Sequence, residues 1–202
     1  MKGEHVNGKG GDLGLKVDCV LNVLENCEES LNVEILNAKH VCLTDEDIAS
    51  IVEIECHTKV QEWLYDSFNL GHKEELREYQ TFFRKKLSGN NNADILIAKC
   101  GGQVVGFLGL WRLGAYMDHV ATIGVSVHPD YWGKDVATHL IESAIELAKE
   151  KEIGRLEVGT LSENASMRRV AEKVGFKLES IRKNRIKKGG SYHDEVAYAM
   201  LL

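Results

Sequence analysis

The chain has no Cys-x-x-Cys pair. Its five cysteines, Cys19, Cys27, Cys42, Cys56 and Cys100, are odd in number and scattered. That pattern argues against a disulfide framework and against a zinc site, so no metal is expected, and reduced thiols in a cytoplasm are the plain expectation. No apolar run approaches the about 18 residues needed to span a bilayer, so no membrane association is expected. The stretch from Met1 to Gly14 is too glycine-rich and polar for a signal peptide. Basic charge is not in excess either: 25 Lys and Arg face 31 Asp and Glu, a net charge of -6. Without a basic stripe to neutralise many phosphates, a general nucleic-acid role is disfavoured. A Gly-x-x-x-x-Gly-Lys-Ser/Thr loop is also missing, which removes the P-loop nucleotide enzymes. Proline occurs once, at Pro129.

What is present suits a globular fold. The 202 residues, 44% apolar and 28% charged, are enough for one domain with a real core. Residues 1–30 read as an extension: a flexible glycine-rich start, then Val17, Val20, Leu21 and Leu24 at helical spacing. It could cover a pocket, mediate a homodimer or stay disordered. The main domain is expected over residues 31–202. Strand-like pieces fall at 33–36 and 41–43. Thr44-Asp45-Glu46-Asp47 is close to a capping box and opens a helix carrying Ile48, Ile51 and Val52. Trp63, Leu64 and Phe68 continue helical spacing, and so do the apolar residues of segment 73–88. Strands are predicted at 94–99 and 103–111, joined at Cys100-Gly101-Gly102, and at 120–127. A long amphipathic helix follows at 136–151, with Val136, Leu140, Ala144, Leu147 and Ala148 on one face. The pattern closes with a strand at 155–159, a helix at 165–174, and strands at 176–186 and 195–201 around Lys187-Lys188-Gly189-Gly190. The order implies a mixed α/β sheet covered by helices.

One segment carries chemistry. In Val125-Ser126-Val127-His128-Pro129-Asp130-Tyr131-Trp132-Gly133-Lys134-Asp135-Val136-Ala137-Thr138, a strand ends, the chain turns at its one proline, and a helix begins. The first turn of a helix has backbone N–H groups without partners, and the helix dipole makes them an anion site. Gly133 and Ala137 leave room for a diphosphate to approach the backbone, and Lys134 adds a positive charge.

This segment resembles the acyl-CoA signature of the GNAT superfamily of N-acyltransferases. A second stretch, Asn164-Ala165-Ser166-Met167-Arg168-Arg169-Val170-Ala171-Glu172-Lys173-Val174-Gly175-Phe176, resembles the second signature helix in the style of the ribosomal-protein and polyamine acetyltransferases. The tail Ser191-Tyr192-His193-Asp194-Glu195 is similar to their last hairpin. The resemblance covers residues 33–202 in element order. It implies an α+β fold with a mostly antiparallel sheet of six to seven strands, splayed between the fourth and fifth. It also implies acetyl-CoA as cofactor, with the diphosphate on the 132–138 turn and the pantetheine arm paired to the backbone near Val125 and Val127 like an added strand. The acetyl carbonyl then lies near 124–126, Ser126 among them, where a backbone N–H polarises it. Asn164 is expected to hold the pantetheine or the loop beside it, and Lys173 belongs to the same signature. The family usually has glycine where this chain has Asp135, whose carboxylate is expected to repel a diphosphate unless it turns to solvent.

The reaction so implied is transfer of acetyl from acetyl-CoA to a primary amine by direct attack in a ternary complex. The acceptor is a protein N-terminus, a polyamine, an amino acid or another small amine. The alternative, motivated by Asp135 and by the missing signature-helix tyrosine, is a catalytically weak or inactive acyl-CoA-binding or sensing module. Attack requires a neutral amine, hence a base. The resemblance implies a Glu or His early in the fourth strand, where His119 lies beside Asp118, although both residues also suit the simple end of a turn. Many family members use a tyrosine on the second signature helix as general acid. Ala171 stands there in this chain, leaving Tyr192, water, or an unassisted thiolate, and Tyr192 equally suits local packing in the hairpin. His128 and Asp130 are read as shaping the turn around Pro129. Cys100 is read as an inert strand-end thiol, and Trp63, Tyr65 and Phe68 as core residues that can also wall an acceptor pocket.

Overall fold

The computed structural model describes residues 31–65, 81 and 92–202. The expected helices at 15–30 and 73–88, and Phe68, lie outside the described residues. Chain order runs β1 (Val33–Asn37), α1 (Asp45–Cys56), α2 (Thr58–Gln61), β2 (Ala93–Cys100), β3 (Gln103–Gly114) and β4 (Met117–Val127). It continues through a 3-10 turn (Pro129–Tyr131), α3 (Val136–Glu150), β5 (Arg155–Leu161), α4 (Ala165–Lys173), β6 (Lys177–Lys188) and β7 (Ser191–Leu201). The strands form one seven-stranded sheet in the order β1-β2-β3-β4-β5-β7-β6.

Every neighbouring pair is antiparallel except β4 with β5, which is parallel. That parallel ladder holds three pairs only: Val120 with Arg155, Ala121 with Leu156 and Thr122 with Glu157. β4 nevertheless stays paired to β3 as far as Val127 opposite Gly106, and β5 to β7 as far as Leu161 opposite Glu195. Residues 123–127 and 158–161 therefore diverge, which is the splay expected from the resemblance.

The central strands are apolar because both sheet faces are covered. On one face α3 lays Val136, Leu140, Ile141, Ala144 and Ala148, each at most 1% exposed, against Leu96, Leu108, Leu110 and Ala121. On the other face α1 packs Ile48, Ile51, Val52 and Ile54 on Ile95, Ile97, Val104 and Phe107. A bulge between Ala98 and Lys99 flips the alternation, so Val104 shares a face with Phe107, and Val105 with Leu108.

The capping box forms as read. Asp47 N–H donates to Thr44 Oγ1 at 3.1 Å, and Thr44 N–H donates to Asp47 Oδ2 at 3.0 Å. Two expectations are corrected. Residues 41–43 are not a strand: they form the link into α1, with Val41 and Leu43 packed on the α1 cluster. Helical spacing also does not carry on to Trp63, because the chain leaves α1 at His57, which takes extended φ/ψ and caps α2, a single turn. No helix among the described residues is long and apolar enough to cross a membrane.

The core gives the first test. Leu140→Ala removes a fully buried side chain where α3 meets the sheet, and is expected to cost about 2–5 kcal/mol in chemical denaturation. A loss under about 0.5 kcal/mol, the size of a surface change, would contradict this packing.

Candidate active site

The divergence of β4 and β5 opens a cavity of about 730 Å³, within the range of small-molecule sites. Val125, Ser126 and Val127 of β4 line one wall, and Val158, Gly159 and Thr160 of β5 the other. The end is closed by Trp132, Gly133, Asp135, Val136, Ala137 and Thr138, with Asn164 beside them.

The turn into α3 is built by its own side chains. His128 Nδ1 accepts from Asp130 N–H at 3.3 Å, and Trp132 Nε1 donates to the Val127 carbonyl at 2.7 Å. Trp132 thus anchors the turn to the end of β4, while His128 and Asp130 shape it as expected. Gly133 has φ +74 and open space where a Cβ would be. The first bond of α3 runs from His139 N–H to the Asp135 carbonyl at 3.0 Å, and no side chain caps the helix. The amides of Val136, Ala137 and Thr138 come before that bond, so the positive end of the helix dipole faces the cavity.

Asp135 sits at φ +57, in the left-handed region. Glycine is the easiest occupant of that conformation, and Asp is among the few others that tolerate it. The carboxylate has partners: Oδ1 accepts from Lys173 Nζ at 2.7 Å and from Thr138 Oγ1 at 3.2 Å. The Lys173 bond, acting against some burial, holds the Asp135 carboxyl below the usual carboxylate range, and the same bond raises Lys173. Repulsion of an anion by Asp135 is thereby offset. Lys173 and Lys134 do not line the cavity but are tied to residues that do: Lys173 to Asp135, and Lys134 over the Tyr131 ring at 5.2 Å. Asn164 acts as a cap, Oδ1 accepting from Met167 N–H at 3.0 Å and Nδ2 donating to Thr160 Oγ1 at 3.1 Å.

Neither expected acid–base residue reaches the cavity. His119 lies at the zipped end of the β4–β5 pair, its side chain 60% exposed, and its carbonyl accepts from Gly154 N–H at 2.9 Å. Tyr192 is 62% exposed near the hairpin tip, with Lys187 Nζ 5.5 Å over its ring. Ala171, where the family's tyrosine would stand, is buried at 1% exposure.

Other groups occupy the opposite end. Trp111 lies across the facing glycines Gly109 and Gly124: a Cβ on Gly109 would come 2.2 Å from the indole, and one on Gly124 3.2 Å. Glu55, Trp63, Leu64 and Tyr65 form a second wall. Lys188 Nζ fixes that wall to the last hairpin, donating to the Leu64 carbonyl at 2.7 Å and also to that of Gln61. Glu195, 7% exposed, enters from β7. The sequence reading missed Glu195. Its available signal was Gly159, a glycine inside an apolar strand, which marks a close approach by another group.

The slot, with an uncapped helix at one end and a polar-aromatic chamber at the other, has the shape of a cleft for an extended ligand. Comparison with known proteins agrees. A family model described as "Acetyltransferase (GNAT) domain" matches residues 41–177. A Bacillus subtilis protein is 30% identical over 69% of this chain and 80% of its own length; it is provisionally named an alanine N-acetyltransferase of ribosomal protein bS18. A Salmonella typhimurium protein described as an acetyltransferase, solved with acetyl-CoA, has a TM-score of 0.63 at 19% identity, covering 83% of this chain and 94% of its own. Another from Salmonella typhimurium, described as modifying the N-terminal serine of ribosomal protein L7/L12, has a TM-score of 0.67 at 17% identity, covering 84% and 95%. The chain belongs to the GNAT acetyltransferases, a family of acyltransferases that draw on acetyl-CoA.

The Asp135–Lys173 pair gives a pH test. Lys173→Met is expected to let the Asp135 carboxyl rise towards its ordinary value of about 3.9, followed by carboxyl NMR. A depressed folded-state pKa stabilises above the unfolded value and is lost as pH falls through the folded one. Wild type and variant should therefore differ at neutral pH and converge in acid. Both side chains are 57% exposed, so the difference in melting temperature should be small. An unmoved Asp135 titration would contradict the pairing.

Proposed function

We propose that this chain transfers acetyl from acetyl-CoA to a primary amine by direct attack in a ternary complex, and that the acceptor is the N-terminal amine of a polypeptide. One observation carries the reading: the β4–β5 ladder stops at Thr122 and Glu157, and the slot it opens runs to the uncapped N-terminus of α3. The amides of residues 133–138 would hold the diphosphate, with Lys173 and Lys134 supplying positive charge at the rim. Exposed β4 backbone at 123–127 would pair with the pantetheine amides. When bound, acetyl-CoA supplies an activated acyl thioester. The chain's own part is to hold that carbonyl beside β4 amides, to exclude water with the Trp111 floor, and to present the amine. No cysteine occurs among the described residues lining the cavity, which favours direct transfer over an acyl-thiol enzyme.

The acceptor assignment draws on the names of the two relatives directed at ribosomal-protein N-termini. It also draws on the chamber, where Glu55 and Glu195 stand among Trp63, Tyr65 and Trp111, a setting suited to an ammonium group. The described cysteines Cys42, Cys56 and Cys100 are free thiols, and the cytoplasm is the compartment we propose. The Lys173 bond to Asp135 removes one motive for the sensing-module alternative; the other, Ala171 in place of a tyrosine, is decided by turnover.

Calorimetric titration with acetyl-CoA, followed by thiol release with peptides beginning Ala or Ser and with spermidine, tests the reading. The peptides should turn over best, and binding without turnover on any amine would overturn it. Gly133→Glu places a carboxylate and a strained φ at the phosphate turn, and is expected to abolish acetyl-CoA binding while circular dichroism stays unchanged. Retained affinity would refute that turn as the diphosphate site.

A further inference from the structure

The acceptor chamber holds a hydrogen-bonded chain of groups that cofactor binding does not use. Glu195 Oε1 accepts from the Tyr65 hydroxyl at 3.1 Å. Glu195 Oε2 accepts from Arg182 Nη1 at 2.9 Å, and Arg185 Nε lies at 3.6 Å. Gly159 makes room for them: a Cβ there would lie 2.6 Å from Glu195 Oε1 and 3.0 Å from the Tyr65 oxygen. Phenol and carboxylate thus stand over β5 where it has parted from β4, beside the slot. The two arginines, both half-exposed or more, offset the buried carboxylate, and Glu55 of α1 lines the same cavity. With its single proton directed at Glu195, the Tyr65 oxygen keeps lone pairs for a donor arriving from the cavity. Burial first, then the Glu195 charge, hold the phenol well above its ordinary range, against the pull of Arg182 and Arg185. A phenol that keeps its proton at neutral pH is suited to relay one.

We infer that the acceptor enters as an aliphatic ammonium group docked on the Tyr65 hydroxyl, and loses its proton through Tyr65 to Glu195. This rests on the transferase reading above. One N–H bond of the ammonium breaks, and its proton forms a new O–H bond on the Tyr65 oxygen. The original phenolic O–H breaks as a carboxyl O–H forms on Glu195 Oε1. The nitrogen keeps the electron pair and attacks the thioester carbonyl. The C–N bond forms, the thiolate leaves with the C–S pair and takes the second proton of that nitrogen to give the neutral amide and the free thiol, and Glu195 returns its own proton through Tyr65 to solvent. Tyr65 is the catalytic residue, and Glu195 is the positioning residue that orients the phenol and receives its proton. The acceptor class is a protonated primary amine, here the α-ammonium of a polypeptide N-terminus, received among Trp63, Tyr65 and Trp111.

The test uses the full chain, acetyl-CoA and a peptide beginning with Ala, measured from below to above the α-amine's ordinary pKa of about 7.7–8.0. Below it, Tyr65→Phe is expected to lower kcat/KM about 10²-fold, a usual size for general-base assistance. Above it the amine arrives neutral, and the loss should shrink to less than about tenfold. Glu195→Gln should follow the same profile, and calorimetric affinity for acetyl-CoA should be unchanged in both. Without any substrate, the tyrosinate absorbance lost in Tyr65→Phe should titrate above about 10 in wild type and move down in Glu195→Gln. A loss equal at every pH, no loss at all, or a Tyr65 titration unmoved by Glu195→Gln would overturn the relay. Should Glu195→Gln fail to fold, Tyr65→Phe alone decides it. A wild type that binds acetyl-CoA yet acetylates no amine would overturn the transferase reading, and the relay with it.

Discussion

Three backbone pairs join β4 to β5, and the rest of the site follows from their small number. Along the gap each strand is held on its other edge, β4 by β3 as far as Val127 and β5 by β7 as far as Leu161. The gap between them is therefore a fixed wedge rather than a fraying end. The wedge exposes main-chain donors and acceptors that a continued ladder would consume. At its open end the chain has turned through Pro129 into α3, and the first amides of that helix point where β4 stops. The cleft thus presents mostly backbone.

Side chains tune that backbone site. Asp135 occupies a left-handed position for which glycine is the simplest residue, and it substitutes a carboxylate whose charge is absorbed by Lys173 and whose oxygen also accepts from Thr138. The same economy recurs across the sheet, where Arg182 and Arg185 attend buried Glu195. In both places an acid stands beside the cleft with its charge met by basic side chains from another element.

Much of the architecture could be read from residue order because it is local. The capping box at Thr44, the apolar face of α3 and the glycine-lined turn at 133 each depend on residues within a few positions. Long-range pairing was less accessible. His119 has the right residue type near the start of the fourth strand, but the three-pair ladder lies between it and the slot, and no local pattern encodes where a parallel ladder stops. Glu195 looked like one more charge in a polar hairpin. Only the register that sets Leu161 against it, and Gly159 a step along the same face, turns it inward. Segment 41–43 has the apolar content of a strand, yet β1 already forms the sheet edge beside β2 and leaves those residues no ladder to join.

The ammonium group of Lys188 grips the carbonyls of Gln61 and Leu64, and Tyr65 follows directly. The wall that ends in Tyr65 is therefore not an independent loop but cargo carried by the β6–β7 hairpin. The tight Gly189-Gly190 bend closes that hairpin directly beyond Lys188, so the stiffness of two paired strands passes through one ammonium group to the segment that ends in Tyr65.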